Sequence, residues 1–517
     1  MPLPPFQVVV PTPFDNNSAL TQYARTAVAA LQEYGTPAVL LDTSTLPLGL
    51  ADEATARLIH AKLREIRPPG HRQVFVNLVP DMRFGTTSIP GHLARFSLDD
   101  PGLRVCSYIH EFTEAVRRFG EARILALQIQ QYPVGSLAVL ATTTEFESRY
   151  LGHFLTFGNG FSLFPVLVPK LRHTHLIPMP PIVPPSPEAQ AQLPGKFSAP
   201  GPVRLVILGG FRPFKGTDPE SGLGLYHLLD SLASRVRQGI LPPDLELHVA
   251  GRLSDTSRVE SIPGGRNAPA IRCLDKLFTL DDRARQLLDA YLDHPDEAEN
   301  ARALENHLET RCARYPFRVR LHFDRDDHWL SSRVLANAHL GILLSNRGIC
   351  LRNTALINFA AHRIPVVANI GDECPNALCP QLVKAYGEAD REAAIAGGRL
   401  EEFLAGAMDR TADRCVALLG NPEALSLHAD GAWDAMGRPS AREHARLLTE
   451  WCLDVLGDKP GPLDRFQVRF FWPLYLPLVN WICRDLIHIP EPRRNRVQAL
   501  IDICRRTRLF RAPLSEG

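Results

Sequence analysis

Short, unbroken apolar runs alternate with stretches of helical period along most of this chain. Phe6–Val10, Pro37–Asp42, Gln73–Val79, Arg104–His110 and Leu137–Thr142 have strand length and are apolar enough for burial on both faces of a sheet. Leu20–Tyr34, Ala54–Ile66, Phe112–Phe119 and Glu145–Leu151 carry helical period between or after them. A second series starts at strand Arg204–Leu208. It continues through helix Gly222–Val236, strands Leu245–Ala250 and Phe317–Phe323, helix Asp326–Asn337 and strand Leu340–Leu344. A helix capped by Asn353-Thr354 and strand Ile364–Ala368 follow, and Leu400–Leu419 and Ala441–Val455 read as amphipathic helices. Strands alternating with helices predict an α/β protein with open, doubly wound parallel sheets. In such sheets ligands bind beyond the carboxyl ends of the strands.

Three stretches break the alternation. IPMPPIVPPSPEAQAQLPGKFSAPGP, residues 177–202, is proline-rich; that favours extended, polyproline-like backbone and marks a linker. Residues 254–314 exceed the needs of one crossover; with a charged helical pattern over Asp281–Arg311, they predict a solvent-facing insertion. From residue 457 the chain changes character. Arg465–Ile482 mixes aromatics, prolines and arginines, and an arginine-rich segment follows. That mixture fits a membrane-interface patch, and it fits an arm packing back on the first domain, which is the reading preferred here. The expected domains are therefore 1–176, a linker at 177–202, 203–456 carrying the insertion, and the arm 457–517.

Composition narrows the picture. A chain of 517 residues is too long for one ordinary core, and a formal charge of +1 gives no signal for nucleic acid. Ten scattered cysteines without metal-ligand spacing point to a reducing cytoplasm. The first residues lack the basic and apolar regions of a signal peptide, and no run reaches 18 apolar residues.

Two loops suit an anion. Gly209-Gly210-Phe211-Arg212-Pro213-Phe214-Lys215-Gly216 joins glycines, which let backbone approach a ligand, to a forked guanidinium and a compact ammonium. It fits neither the Walker pattern nor GxGxxG. The second, Ser345–Arg352, precedes the helix at Asn353, whose N-terminus would favour negative charge. At strand ends in the first half lie Asn16 and Asn17, His110 and Glu111, and the Thr142–Glu145 cluster. Asp324-Arg325-Asp326-Asp327 reads as a helix-start charge cluster, so no metal site is expected.

Four segments in register resemble the GT-B glycosyltransferases of the family-4 type. They are VRLVILGGFRPFKG, LELHVAGRL, VRLHFDRDDHWLSSRVLANAHLGILLS and RGICLRNTALINFAAHRIPVVAN, together spanning about 203–369. The resemblance implies two Rossmann-like domains facing a central cleft. It implies a retaining, metal-independent hexosyltransferase without a cofactor, using a UDP- or GDP-linked sugar and a glycan, lipid-linked or polysaccharide acceptor. The cysteine pattern adds a cytoplasmic location, and the interfacial reading of the tail adds peripheral membrane contact. By position, Arg212 and Lys215 would hold the donor diphosphate, flanked by Gly209 and Gly210, and Gly251 would border the nucleotide. Gly348, Ile349, Cys350, Leu351 and Arg352 would meet the sugar or distal phosphate, with Asn353 and Thr354 opening the helix toward the diphosphate. His110 would touch the donor sugar, and Asn16, Asn17 and Glu111 would lie on the acceptor side. The family's E-x7-E carboxylates fall on Cys350 and Asn358, so both are replaced. Asn358 retains an amide able to hydrogen-bond a ribose. His362-Arg363 stands where a small residue is usual. A non-catalytic GT-B module and another GT-B enzyme, such as a sugar-nucleotide epimerase, are the alternative readings.

Overall fold

The computed structural model describes residues 5–12, 19–43, 46, 52–79, 89–109, 136–140, 173–177, 179–192, 196–198, 201–209, 223–251, 274–275, 278–294, 298–323, 325–344, 353–370, 382–437, 441–457 and 461–471. The chain divides into two compact units, Met1–Pro180 with Pro439–Gly517, and Pro181–Arg438.

The first unit is built on the parallel sheet β2-β1-β3-β4-β5-β6. Its strands are β1 (Phe6–Pro11), β2 (Ala38–Leu41), β3 (Arg72–Val79), β4 (Leu103–Ile109), β5 (Ser136–Leu140) and β6 (His173–Ile177). Helices α1 (Ala19–Tyr34), α2 (Asp52–Glu65) and α3 (Ile89–Ser97) fall between the early strands. Val9, Phe75, Leu103 and Val105 meet Ile59, Leu63 and Leu93 of α2 and α3 in one buried cluster. Below it, Arg67 forks onto both carboxylate oxygens of Asp100 at 2.8 and 2.7 Å, and His60 reaches the same carboxylate at 3.1 Å.

Helix Ala441–Gly457 also belongs to this unit, which corrects the sequence-based boundary at residue 456. Its buried side carries His444, Leu448, Trp451, Cys452 and Val455. The Tyr23 hydroxyl of α1 lies 3.1 Å from His444 Nε2, and the Thr36 and Thr449 hydroxyls are 2.8 Å apart. Amphipathic period says that a helix covers a core, not which core. Beyond it, Pro462–Phe466 runs into π-turns Gln467–Phe471; Val468 is buried, Arg469 pairs with Asp99, and Phe466 and Phe470 are exposed.

The second unit is built on the parallel sheet β12-β11-β10-β7-β8-β9. Its strands are β7 (Arg204–Leu208), β8 (Glu246–Gly251), β9 (Arg318–Phe323), β10 (Leu340–Leu343), β11 (Val366–Ile370) and β12 (Val383–Gly387). Helices α4 (Leu223–Arg237), α5 (Asp282–Asp293), α6 (Ala298–Arg311), α7 (Thr354–Ala361) and α8 (Leu400–Leu419) flank it. Alternate strand residues serve different faces, as the period of two requires. Leu205, Ile207, Leu247, Val249, Leu340 and Ile342 pack with α4, α5, α6 and α8. Val206, Leu208, Leu343, Val366 and Ala368 pack with Leu356, Phe359 and Ala360 of α7. That second contact is close. A Cβ on Gly341 would stand 3.0 Å from the Phe359 ring.

Two further expectations are corrected here. The 254–314 stretch is not merely solvent-facing, because Ala284, Leu288 and Tyr291 of α5 and Ala301, Leu304 and Leu308 of α6 are core residues. High surface charge on the outer side masked that inner stripe. Helix α6 also guards the sheet edge. Glu309 accepts the Leu321 N–H at 2.8 Å and Glu305 accepts the Phe323 N–H at 2.6 Å, so two outward donors of edge strand β9 are satisfied. The proline-rich segment likewise is not extended linker throughout. Pro187–Gln192 is helical, Lys196–Ser198 forms a 3-10 turn, and Ile182, Val183, Ser186, Ala189 and Lys196 are buried. Proline removes backbone donors, but the side chains and remaining N–H groups of this connector find partners in the second unit.

Candidate functional site

The order β12-β11-β10-β7-β8-β9 makes β7, the first strand of its series, the neighbour of both β8 and β10. Successive connections therefore leave β7 in opposite directions, the topological switch point where doubly wound sheets hold ligands. Both anion-suited loops depart there. Gly209–Gly216 leaves the carboxyl end of β7, and Ser345–Arg352 leaves that of β10, its direct partner through Leu205–Leu340 and Ile207–Ile342.

Gly209 makes the first turn at φ +77°, a left-handed conformation that suits glycine, and its N–H donates to Ala250 O at 2.6 Å. Gly251 ends β8 in register with Phe323 of β9. Across the switch point Asn353 caps α7. Its side-chain oxygen accepts the Ala355 and Leu356 N–H groups at 3.1 and 3.4 Å, and Thr354 is the first helical residue. An anion there meets the helix dipole, while Asn353 already occupies those two donors. Gly210, Arg212, Lys215, Gly348, Ile349, Cys350, Leu351 and Arg352 lie outside the described residues, as do Asn16, Asn17, His110 and Glu111 of the first unit.

Asn358, expected as a ribose contact, has its side-chain oxygen engaged within the fold. It is buried, and its side-chain oxygen accepts the Val183 N–H of the connector at 3.0 Å. One turn later, His362 is fully buried, with Nδ1 2.8 Å from Asn358 O and Nε2 2.8 Å from Ser331 Oγ. A carbonyl only accepts, so Nδ1 carries the proton and Nε2 accepts from Ser331. Ser331 Oγ in turn accepts the Ser186 N–H at 2.7 Å. Burial lowers the His362 pKa to about 4, which keeps it neutral and able to accept.

Lys196 completes this network. Its side-chain nitrogen is buried and donates to Leu335 O at 3.1 Å and His362 O at 3.3 Å, two carbonyls at helix C-terminal ends. Among the described residues it has no ion-pair partner, and burial pulls its pKa down to about 7. Sequence reasoning passed over Lys196, Ser186 and Ser331. The available signal was Asn358 and His362, polar at i and i+4 on an otherwise apolar helix.

Among the described residues no group of three His, Cys, Asp or Glu is placed to hold a metal ion. Nor is any described helix long and apolar enough to cross a membrane.

No protein-family model matches this chain, and no curated protein matches it. Solved structures resemble it distantly. HepE from Anabaena, in complex with UDP and glucose, shares 8% identity at a TM-score of 0.47, covering 86% of this chain and 99% of that one. WaaG, a glycosyltransferase involved in lipopolysaccharide biosynthesis, shares 12% at 0.41, covering 86% and 100%. The N-terminal domain of Candida albicans trehalose-6-phosphate phosphatase shares 11% at 0.43, covering 88% and 97%. Likenesses of this size carry no argument about substrate or activity. The α/β class and the two Rossmann-like units rest on the sheets themselves.

Proposed function

We propose that this protein is a glycosyltransferase of the GT-B type, taking its sugar from a nucleoside-diphosphate donor. The observation that carries the proposal is the switch point. Two glycine-containing, basic loops leave the carboxyl ends of adjacent strands β7 and β10, with the capped N-terminus of α7 following the second. A nucleotide diphosphate is the ligand chemistry that such a crevice fits.

In this reading Arg212 and Lys215 clamp the diphosphate, assisted by Arg352 and the α7 dipole. The same groups stabilise the charge that develops on the departing diphosphate, so the reaction needs no metal. Gly251 borders the nucleotide, and His110 is proposed as the sugar contact. The proposed reaction retains configuration, with a glycan or lipid-linked acceptor at a membrane surface reached from the cytoplasm. Cys350 and the engaged Asn358 favour a second reading, a donor-binding module without turnover, since neither supplies a carboxylate.

Calorimetry with UDP, GDP and their sugars tests the proposal. A charge-assisted contact is worth about 1.5–3 kcal/mol, so Arg212→Ala and Lys215→Ala should each weaken donor binding at least ~10-fold. Unchanged affinity in both would reduce the loop to a turn. Binding without transfer to any acceptor would select the second reading.

A further inference from the structure

Lys196 sits where a permanent charge is costly. Its Nζ donates to two carbonyls at the ends of two helical segments, Leu335 O of Leu330–Leu335 and His362 O at the C-cap of α7. Among the described residues the titratable groups facing it are cationic or neutral. His362 lies at the C-cap of α7 and His339 in the turn before β10, with Arg204 of β7 beyond, itself paired to Glu246 at 2.9 Å. Burial holds both histidines neutral near pKa 4, so neither compensates the ammonium and neither competes with it near neutrality.

The same pocket fastens the connector at three points. Val183 N–H reaches Asn358, Ser186 N–H reaches Ser331, and Lys196 Nζ reaches Leu335 and His362. All but one of these partners lie on α7 or its C-cap, or are bonded to it through His362. Helix α7 is short, Thr354–Ala361, and its other end carries Asn353 at the switch point.

We propose that Lys196 is a proton-controlled latch: its neutral amine joins Val183 and Ser186 in fastening the connector to the C-terminal turn of α7, and its protonation loosens that hold. The further consequence, that the latch positions Asn353 for a nucleotide, rests on the function proposed above. The sign follows from burial. The folded-state pKa, about 7, lies below the usual lysine value of 10.5, so folding favours the neutral form. Stability from this group therefore rises as pH climbs from about 7 toward 10.5, and the full penalty is present below 7. Lys196 acts through α7 and is a positioning residue, not a catalytic one.

Lysine-selective NMR of the full chain reads the latch directly, without any nucleotide. One side-chain resonance should titrate near pH 7, apart from the others, and vanish in Lys196→Met. If every lysine titrates above about pH 9.5, the proposal fails, whether or not the methionine variant folds. Where it folds, the wild-type to variant ratio of folding constants should rise by up to ~10-fold per pH unit between about 7 and 10. Hydrogen exchange, corrected for its intrinsic pH dependence, should show protection over 183–192 and 354–362 growing with pH in the wild type only. Equal pH slopes in both proteins would overturn the latch. UDP affinity measured across the same pH range then separates the two ideas. A titrating Lys196 with no UDP binding leaves the latch standing and removes the nucleotide reading; UDP binding with no such titration does the reverse.

Discussion

Replacing Asn358 separates two readings of one residue. As a ribose contact, Asn358→Ala would weaken nucleotide binding and leave the fold untouched. The structure instead spends the amide oxygen on the Val183 N–H, inside a residue only 6% exposed. Truncation leaves that donor buried without a partner, which costs about 1–3 kcal/mol. The small cavity adds about 1 kcal/mol, for a total near 2–4 kcal/mol. In a cooperative unit of this size each kcal/mol lowers Tm by about 2–4 °C, so a fall of roughly 5–15 °C is expected in the transition of the second unit. Asn358→Leu fills the volume but cannot accept, and should recover only the cavity share. Scanning calorimetry resolves the units, and amide exchange at Val183 should accelerate in both variants. If Asn358→Ala melts within about 1 °C of wild type while losing nucleotide affinity, the argument from the buried amide is wrong.

Three other perturbations test other parts of the molecule. Gly341→Val presses a branched side chain into the Phe359 ring and should cost about 1–3 kcal/mol of second-unit stability in urea unfolding, whereas a neutral outcome would mean that α7 can shift away. Trp451→Ala, at a fully buried site, should cost about 3–5 kcal/mol and lower the transition of the first unit, not the second. Burial raises the Asp100 carboxyl, but the Arg67 fork and His60 outweigh it and hold the pKa at about 2. Its contribution is therefore present above the usual carboxylate pKa and lost as pH falls toward 2, so acid unfolding of Asp100→Asn should be less steep than that of wild type in that range.

The alternation of strand and helix was legible because strands buried on both faces are written as continuous apolar runs: Phe6–Pro11, Arg204–Leu208 and Leu340–Leu343 all show it. Elements that break that rule were missed. Strand His173–Ile177 reads HTHLI, and helix Ile89–Ser97 begins with proline and glycine at its second and third positions. The two anion loops were visible as strings, but the adjacency of the strands that precede them was not. It follows from the pairing of β7 with β10, a contact between segments more than 130 residues apart. Asn358 and His362 were legible only as departures from a family pattern. Their partners, Val183, Ser186, Ser331 and Lys196, come from a stretch whose prolines suggested a passive tether and from a helix some thirty residues upstream. Local sequence carries no record of such pairing.

The two glutamates of α6 on the rim of β9 bear on how these molecules behave in a crowd. A strand with open donors on its outer side is an invitation to any extended chain, including that of a second molecule. Glu305 and Glu309 stand in for that missing neighbour, and a foreign strand would have to displace both side chains. They also hold Arg325 and Arg320, so the rim is fenced by paired charges as well as satisfied. Loss of both carboxylates would leave the Leu321 and Phe323 N–H groups open at the sheet edge. The stretch that looked like an ornament on the second unit thus takes the place of a neighbouring strand along part of this edge.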